Sequence, residues 1–120
     1  MKKILIVDDE IEIIELIKDF LAYKGFDVDY AQDEKETYEK IRTFNPDIIL
    51  LDIRLPDADG IDMLKKIKEK HPEIDVIMIT GVTEKDIALK ALDLGAADYI
   101  TKPIDLNYLE TSIIAKLIYK

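Results

Sequence analysis

Asp8 and Asp9 end one apolar run, Ile4-Leu5-Ile6-Val7, and Asp52 ends a second, Ile48-Ile49-Leu50-Leu51. Each run reads as a buried strand, so each delivers carboxylates to a strand's carboxyl end. Carboxylates gathered in one place repel one another, and a fold that collects them is expected to hold a cation there. Carboxylate oxygens suit a hard ion such as Mg²⁺ or Ca²⁺. Two further strand ends add to the set: Thr80, followed by the small Gly81, and Lys102, followed by Pro103. Three carboxylates, a hydroxyl, an ammonium and a divalent cation suit phosphoryl transfer. The cation would neutralise charge on the transferring group, and Lys102 would add a second positive charge. Thr80 can donate a hydrogen bond to a phosphoryl oxygen, and a carboxylate can act as nucleophile and form an acyl phosphate.

Strand-like and helix-like segments alternate five times along the 120 residues, which by length make one domain with a real core. Lys3–Val7 reads as the first strand. Ile13, Leu16, Ile17, Phe20 and Leu21 then form an apolar stripe at helical spacing, with Gly25 just past the helix end. Residues 26–31 alternate as a half-exposed strand, and Asp33 with Glu36 resembles a capping box opening a helix whose inward residues are Tyr38 and Ile41. Asn45-Pro46 punctuates before the run into Asp52. A third helix is expected over 61–70, stopped by Pro72, and a fourth strand over Asp75–Thr80. The fourth helix is expected to start near Thr83 and end before Gly95. A short strand over 99–101 closes at Lys102-Pro103, and a last helix follows Asp105 to Lys120, with Leu106, Leu109, Ile113 and Leu117 inward.

Regular β-α alternation implies an α/β fold, a single (βα)5 doubly wound parallel sheet with helices on both faces. The first, third and fourth strands are continuous apolar runs and belong in the centre. The alternating second strand and the short, proline-limited fifth belong at the edges. Right-handed crossovers then favour the flavodoxin-like order 2-1-3-4-5. The order reverses between the first and third strands, and ligands of open α/β sheets bind outside the carboxyl ends at such a reversal. Those ends carry Asp8, Asp9 and Asp52.

Composition narrows the function. A net charge of −9 argues against direct nucleic-acid binding, since phosphate repulsion dominates. Lys65, Lys66, Lys68 and Lys70 read as the solvated side of one helix, because no aromatic residues interleave with them. No apolar run approaches the roughly 18 residues of a membrane helix, and the first strand is too short for a signal peptide's apolar region. The absence of cysteine removes disulfides, thiol catalysis and thiolate metal sites. A cytoplasmic protein is expected.

Val7-Asp8-Asp9-Glu10, Leu51-Asp52 with Leu55-Pro56 and Gly60, Thr80-Gly81, and Tyr99-Ile100-Thr101-Lys102-Pro103 are each short. In this order on four strand ends they are specific, and the chain resembles the receiver domains of two-component response regulators over 1–120. Chemotaxis receivers are themselves a standard case of the 2-1-3-4-5 order, so topology and resemblance overlap as evidence. The resemblance implies that Asp52 accepts a phosphoryl group from a sensor histidine kinase or histidine phosphotransfer protein, as a switch and not as an enzyme, with slow self-dephosphorylation. It implies that Asp9, Asp52 and the backbone carbonyl of Arg54 bind Mg²⁺, with Asp8 acting mainly through water. It further implies that Lys102 contacts the phosphoryl group, that Thr80 and Tyr99 switch together, and that Lys102-Pro103 is a cis peptide. Arg54 and Val82 resemble positions that control the attacking water, and their size implies a long-lived phosphorylated form. The face formed by the fourth helix, fifth strand and fifth helix is the family's usual output surface, toward a downstream protein or an output domain of the same protein; Leu89 and Leu94 are expected to fall off the inward Ile87/Ala91 stripe, with Leu89 adding apolar area on that face.

Plainer readings stand beside these. Asp8 and Asp9 suit the start of a helix, but that leaves Asp52 unexplained. Thr80 and Lys102 taken singly are ordinary surface residues, and Tyr99 serves equally as core or switch. Asp57-Ala58-Asp59-Gly60 is no calcium loop, since Leu55 and Lys66 fall where acidic ligands belong. His71, the single histidine, is expected exposed and makes no zinc cluster. Two other functions share parts of the pattern. A flavodoxin-like cofactor binder needs a phosphate loop after the first strand, where Asp8-Asp9-Glu10-Ile11-Glu12 would repel phosphate. A Mg²⁺-dependent phosphohydrolase with an aspartyl intermediate is similar in chemistry, but Arg54 stands where its second acid belongs.

Overall fold

A computed structural model describes residues 2–118. The elements are β1 Lys3–Val7, α1 Ile11–Tyr23, β2 Asp27–Ala31, α2 Glu34–Phe44, β3 Ile48–Leu51, α3 Gly60–Lys70, β4 Asp75–Thr80, α4 Lys85–Asp93, β5 Asp98–Thr101 and α5 Leu106–Ile118. The five strands are parallel in the order β2-β1-β3-β4-β5. The expected edge and central strands take those places. The expected continuation of the last helix to Lys120 lies outside the described residues.

The central strands are apolar at every position because both faces are covered. Leu5, Val7, Ile49, Leu51, Val76 and Met78 point to the side packed by Ile41 of α2, Met63, Leu64 and Ile67 of α3 and Ala91 of α4. Ile4, Ile6, Ile48, Leu50, Ile77 and Ile79 point to the other, against Ile14, Ile17 and Leu21 of α1 and Leu109 and Ile113 of α5. The coverage is uneven. Helix α3 buries Gly60, Ile61, Met63, Leu64 and Ile67, whereas α4 buries Ala91 alone. Among the described residues no helix is long and apolar enough to cross a membrane.

Local signals in the sequence account for most boundaries. Gly25 follows α1 at φ +95°, a left-handed conformation that favours glycine, and its N–H returns to the carbonyl of Ala22. Asn45 ends α2 in the left-handed region as well. Asp33 caps α2 by accepting the N–H of Glu36 at 2.8 Å, but the return bond differs from a capping box: the Glu36 carboxylate accepts from the N–H of Gln32, one residue before the cap.

Four expectations shift. Helix α1 turns Ile14, Ile17 and Leu21 inward and leaves Leu16 49% exposed, with Ile13 and Phe20 on the flank. On α2 it is Thr37 that is buried with Ile41, while Tyr38 lies at the edge; Thr37 can be buried because its hydroxyl donates to the carbonyl of Asp33. Helix α4 starts at Lys85 rather than near Thr83, with Glu84 at the cap and no side-chain cap bond. The backbone of Val82, before the helix, is engaged by Thr80 and Tyr99. His71, expected exposed, is partly buried, with Nδ1 3.6 Å from Glu73.

Candidate functional site

Register brings the acids together. Val7 pairs with Leu51 across β1 and β3, so the next residues, Asp8 and Asp52, leave the sheet side by side. The N–H of Asp52 donates to the carbonyl of Val7, and that of Asp8 to the carbonyl of Ala31. Both acids are buried, Asp8 2% and Asp52 5% exposed. Each has one oxygen tied to the backbone two residues on. Asp8 Oδ1 accepts the N–H of Glu10 at 2.9 Å, and Asp52 Oδ1 accepts the N–H of Arg54 at 3.2 Å. Asp9 lies beside them, exposed. Carboxylate oxygens of Asp8, Asp9, Glu10 and Asp52 all fall within 4.8 Å of one another.

Lys102 reaches this group from the end of β5. Its N–H donates to the carbonyl of Thr80 at 2.9 Å, which continues the β4–β5 pairing past Thr101. The Lys102–Pro103 bond is cis. The ammonium stands 2.9 Å from Asp8 Oδ2, 2.9 Å from Asp52 Oδ2 and 2.9 Å from Glu10 Oε1.

Electrostatics at the two buried partners run in opposite senses. Burial raises the Asp8 carboxyl above its usual range, and the Glu10 N–H and Lys102 only partly counter it. Burial also works against the Lys102 ammonium, but its bonds to Asp8, Asp52 and Glu10 together outweigh that and hold its pKa above the usual 10.5. One cation is shared among several acids. The lysine is well served, and each acid receives a fraction of one charge.

Thr80 is buried at the end of β4, and its hydroxyl oxygen accepts the N–H of Val82 at 3.2 Å. Tyr99 donates its hydroxyl to the carbonyl of the same Val82 at 2.6 Å. Thr80 and Tyr99 therefore hold opposite ends of one residue's backbone. Burial, then the charges of Glu84 and Asp52, raise the Tyr99 phenol above its usual value. The Val82 side chain belongs to the core and does not stand free beside Asp52. Arg54 is exposed, and its backbone forms an isolated bridge with Asp59.

Gly60 fixes the loop between β3 and α3. Its N–H donates to the carbonyl of Ile53 at 2.7 Å. A Cβ there would collide with the carbonyl oxygen of Asp52 and lie 2.6 Å from Ile53 Cα. Only a residue without a side chain lets α3 begin this close to the acid.

The structure thus brings Asp8, Asp9, Asp52 and Lys102 together, with Thr80 and Tyr99 linked beside them through Val82. Sequence reasoning assigned no role to Glu10, although the residue was in view as the third acid after β1. Its position at the start of α1 and its long side chain were the available signal.

A sequence profile for the response regulator receiver domain matches residues 4–114. The response regulator protein PilR of Pseudomonas aeruginosa is 40% identical over 116 residues, 97% of this chain and 26% of that protein. The curated relatives it matches are longer: the chain spans 24% of the regulatory protein AtoC of Escherichia coli and 42% of the regulator PhoP of Bacillus subtilis. A CheY-like receiver domain protein from Methanospirillum hungatei superposes with a TM-score of 0.94 at 34% identity, covering 99% of this chain and 95% of that one.

Proposed function

Because the chain belongs to the response regulator receiver family, we propose that Asp52 is its phosphoacceptor and that residues 1–120 form one receiver domain. The observation that carries this is the Lys102 ammonium 2.9 Å from Asp52 Oδ2, on a buried carboxylate whose other oxygen is held by the Arg54 N–H. These bonds fix Asp52 at the sheet's reversal. A carboxylate oxygen of Asp52 attacks phosphorus, the donor's bond to phosphorus breaks, and its electron pair leaves with the donor. The product is an acyl phosphate on Asp52. Lys102 offsets the added negative charge, and Thr80 can exchange its bond with the Val82 N–H for one donated to a phosphoryl oxygen. Tyr99 is tied to the carbonyl of the same Val82, so the two side chains respond together.

The acidic group fits Mg²⁺. Its donors are all carboxylate oxygens, which suits a hard cation. Asp9, Asp52 and the carbonyl of Arg54 would hold the ion, with Asp8 acting through water. Bound there, it would screen the approach of the phosphate and neutralise charge on the transferring group. Nothing in the geometry favours a phosphohydrolase or a flavin binder, and Arg54 keeps the place two residues past Asp52.

In this reading the donor is a sensor histidine kinase or histidine phosphotransfer protein in the cytoplasm. Output passes through the face of α4, β5 and α5, where Leu89 is 50% exposed while Leu94 packs into the core. The protein is a switch whose only turnover is slow loss of its own phosphoryl group. Treatment with acetyl phosphate and Mg²⁺, followed by intact mass, tests the claim. One phosphoryl group on wild type and none on Asp52→Asn is expected; an unmodified wild type, or equal labelling of the variant, would defeat it.

A further inference from the structure

Lys102 uses every donor it has. An ammonium carries three N–H groups, and this one faces Asp8, Glu10 and Asp52 at 2.9 Å each. A phosphoryl oxygen that is to reach it must displace one of them. The partners differ in what release costs. The side chains of Asp8 and Asp52 are 3% and 6% exposed, that of Glu10 59%. A buried carboxylate stripped of its cation is left desolvated and unpaired. A surface carboxylate is taken up by water at little cost.

Glu10 is also poorly occupied otherwise. It is the N-cap residue of α1, where Ser, Thr, Asp or Asn normally accepts a helix N–H. Glu10 makes no such bond. Among the described residues its carboxylate has no hydrogen-bond partner but Lys102, 92 positions along the chain.

We infer that Glu10 is a positioning residue: it holds the third donor of Lys102 in the resting protein, and it is the partner that the incoming phosphoryl group displaces. The inference rests on Asp52 being the phosphoacceptor. Glu10 then slows phosphorylation, because its bond to Lys102 must break first. It has no such effect on the phosphorylated form, where that donor already lies on a phosphoryl oxygen.

The test must separate the contact from simple charge repulsion of the phosphate donor. Glu10→Asp keeps the charge but is one methylene too short for the bond. Glu10→Gln keeps the length but removes the charge. Glu12→Gln removes a nearby exposed charge that does not touch Lys102. Rates of phosphorylation by acetyl phosphate with Mg²⁺, and of decay after the donor is removed, are followed by intact mass. Both Glu10 variants are expected to phosphorylate about three- to fivefold faster, the gain from freeing one partly exposed ion pair, with decay unchanged. Glu12→Gln should follow wild type. Wild-type rates for Glu10→Asp, no difference between Glu10→Gln and Glu12→Gln, or decay altered as much as loading would overturn the inference alone. A wild type that takes no phosphate on Asp52 would overturn the phosphoacceptor reading, and this inference with it.

Discussion

Replacing Asp8 with asparagine should make the metal-free protein more stable. Asp8 is buried, and burial is the largest influence on its carboxyl, lifting the pKa above the ordinary 3.8. The sign follows from linkage. An acid whose folded pKa is raised binds its proton more tightly in the folded state, so folding is favoured below 3.8 and that advantage is lost as pH rises through the folded value. At neutral pH the ionised Asp8 is a cost. Exchanging a buried ion-pair member for a neutral group is often stabilising by about 1–4 kcal/mol. Asparagine keeps one of the two bonds of Asp8, to the Glu10 N–H or to Lys102, and losing the other returns about 1 kcal/mol. A net gain of about 1 kcal/mol corresponds to roughly 3–6 °C in Tm for a domain of this size. Thermal and urea unfolding in EDTA at pH 7 measures it, and repeating it near pH 4 should show the gain fading as the wild-type carboxyl takes up its proton. Lys102→Met is the opposite perturbation. It strands Asp8 and Asp52 and should cost about 3–5 kcal/mol at pH 7, less in acid. As for the Lys102 proton itself, its raised pKa means that this stabilisation is fully present below 10.5 and fades as pH rises through the folded value. A less stable Asp8→Asn at pH 7, or a gain equal at both pH values, would refute the view that burial dominates at Asp8.

Gly60→Ala forces a methyl group against the carbonyl of Asp52 and the Cα of Ile53, both backbone atoms that move only with the loop. A loss of about 1–3 kcal/mol in urea unfolding is expected, with slower phosphorylation of Asp52; unchanged stability would show that the loop gives way freely. Arg54→Asn, on an exposed side chain, should shorten the lifetime of the phosphorylated form without lowering Tm, as read by intact mass over time. Val82→Glu should shorten it too, with a stability penalty, because Val82 lies in the core. Decay as slow in both variants as in wild type would refute the expectation that Arg54 and Val82 prolong the phosphorylated form.

The strand ends were legible because apolar runs and the acids that stop them are local patterns, and parallel pairing leaves little choice of where those ends meet. The α1 stripe was not. Ile11, Ile13, Ile14, Leu16 and Ile17 supply apolar residues around more than one side, and two helical stripes satisfy the spacing. The rotation that wins is set by the fit of Ile14, Ile17 and Leu21 to the strand residues Ile4 and Ile6, which a one-dimensional pattern does not contain. The start of α4 lies slightly later than expected: Thr83 looks like a cap, but Glu84 takes that place. Glu10 reads locally as an acid at a helix start, and its bond to Lys102 depends on a neighbour that only the folded sheet brings near.

The uneven coverage of the sheet gives the molecule a fixed half and a cheap-to-shift half. Asp8 and Asp52 directly follow β1 and β3, two of the three strands paired on both sides. Thr80, Val82 and Tyr99 lead instead toward α4, which buries one alanine where α3 buries five residues. In the proposed reading, a change at Asp52 passes along Thr80, Val82 and Tyr99 to the helix with the fewest buried side chains.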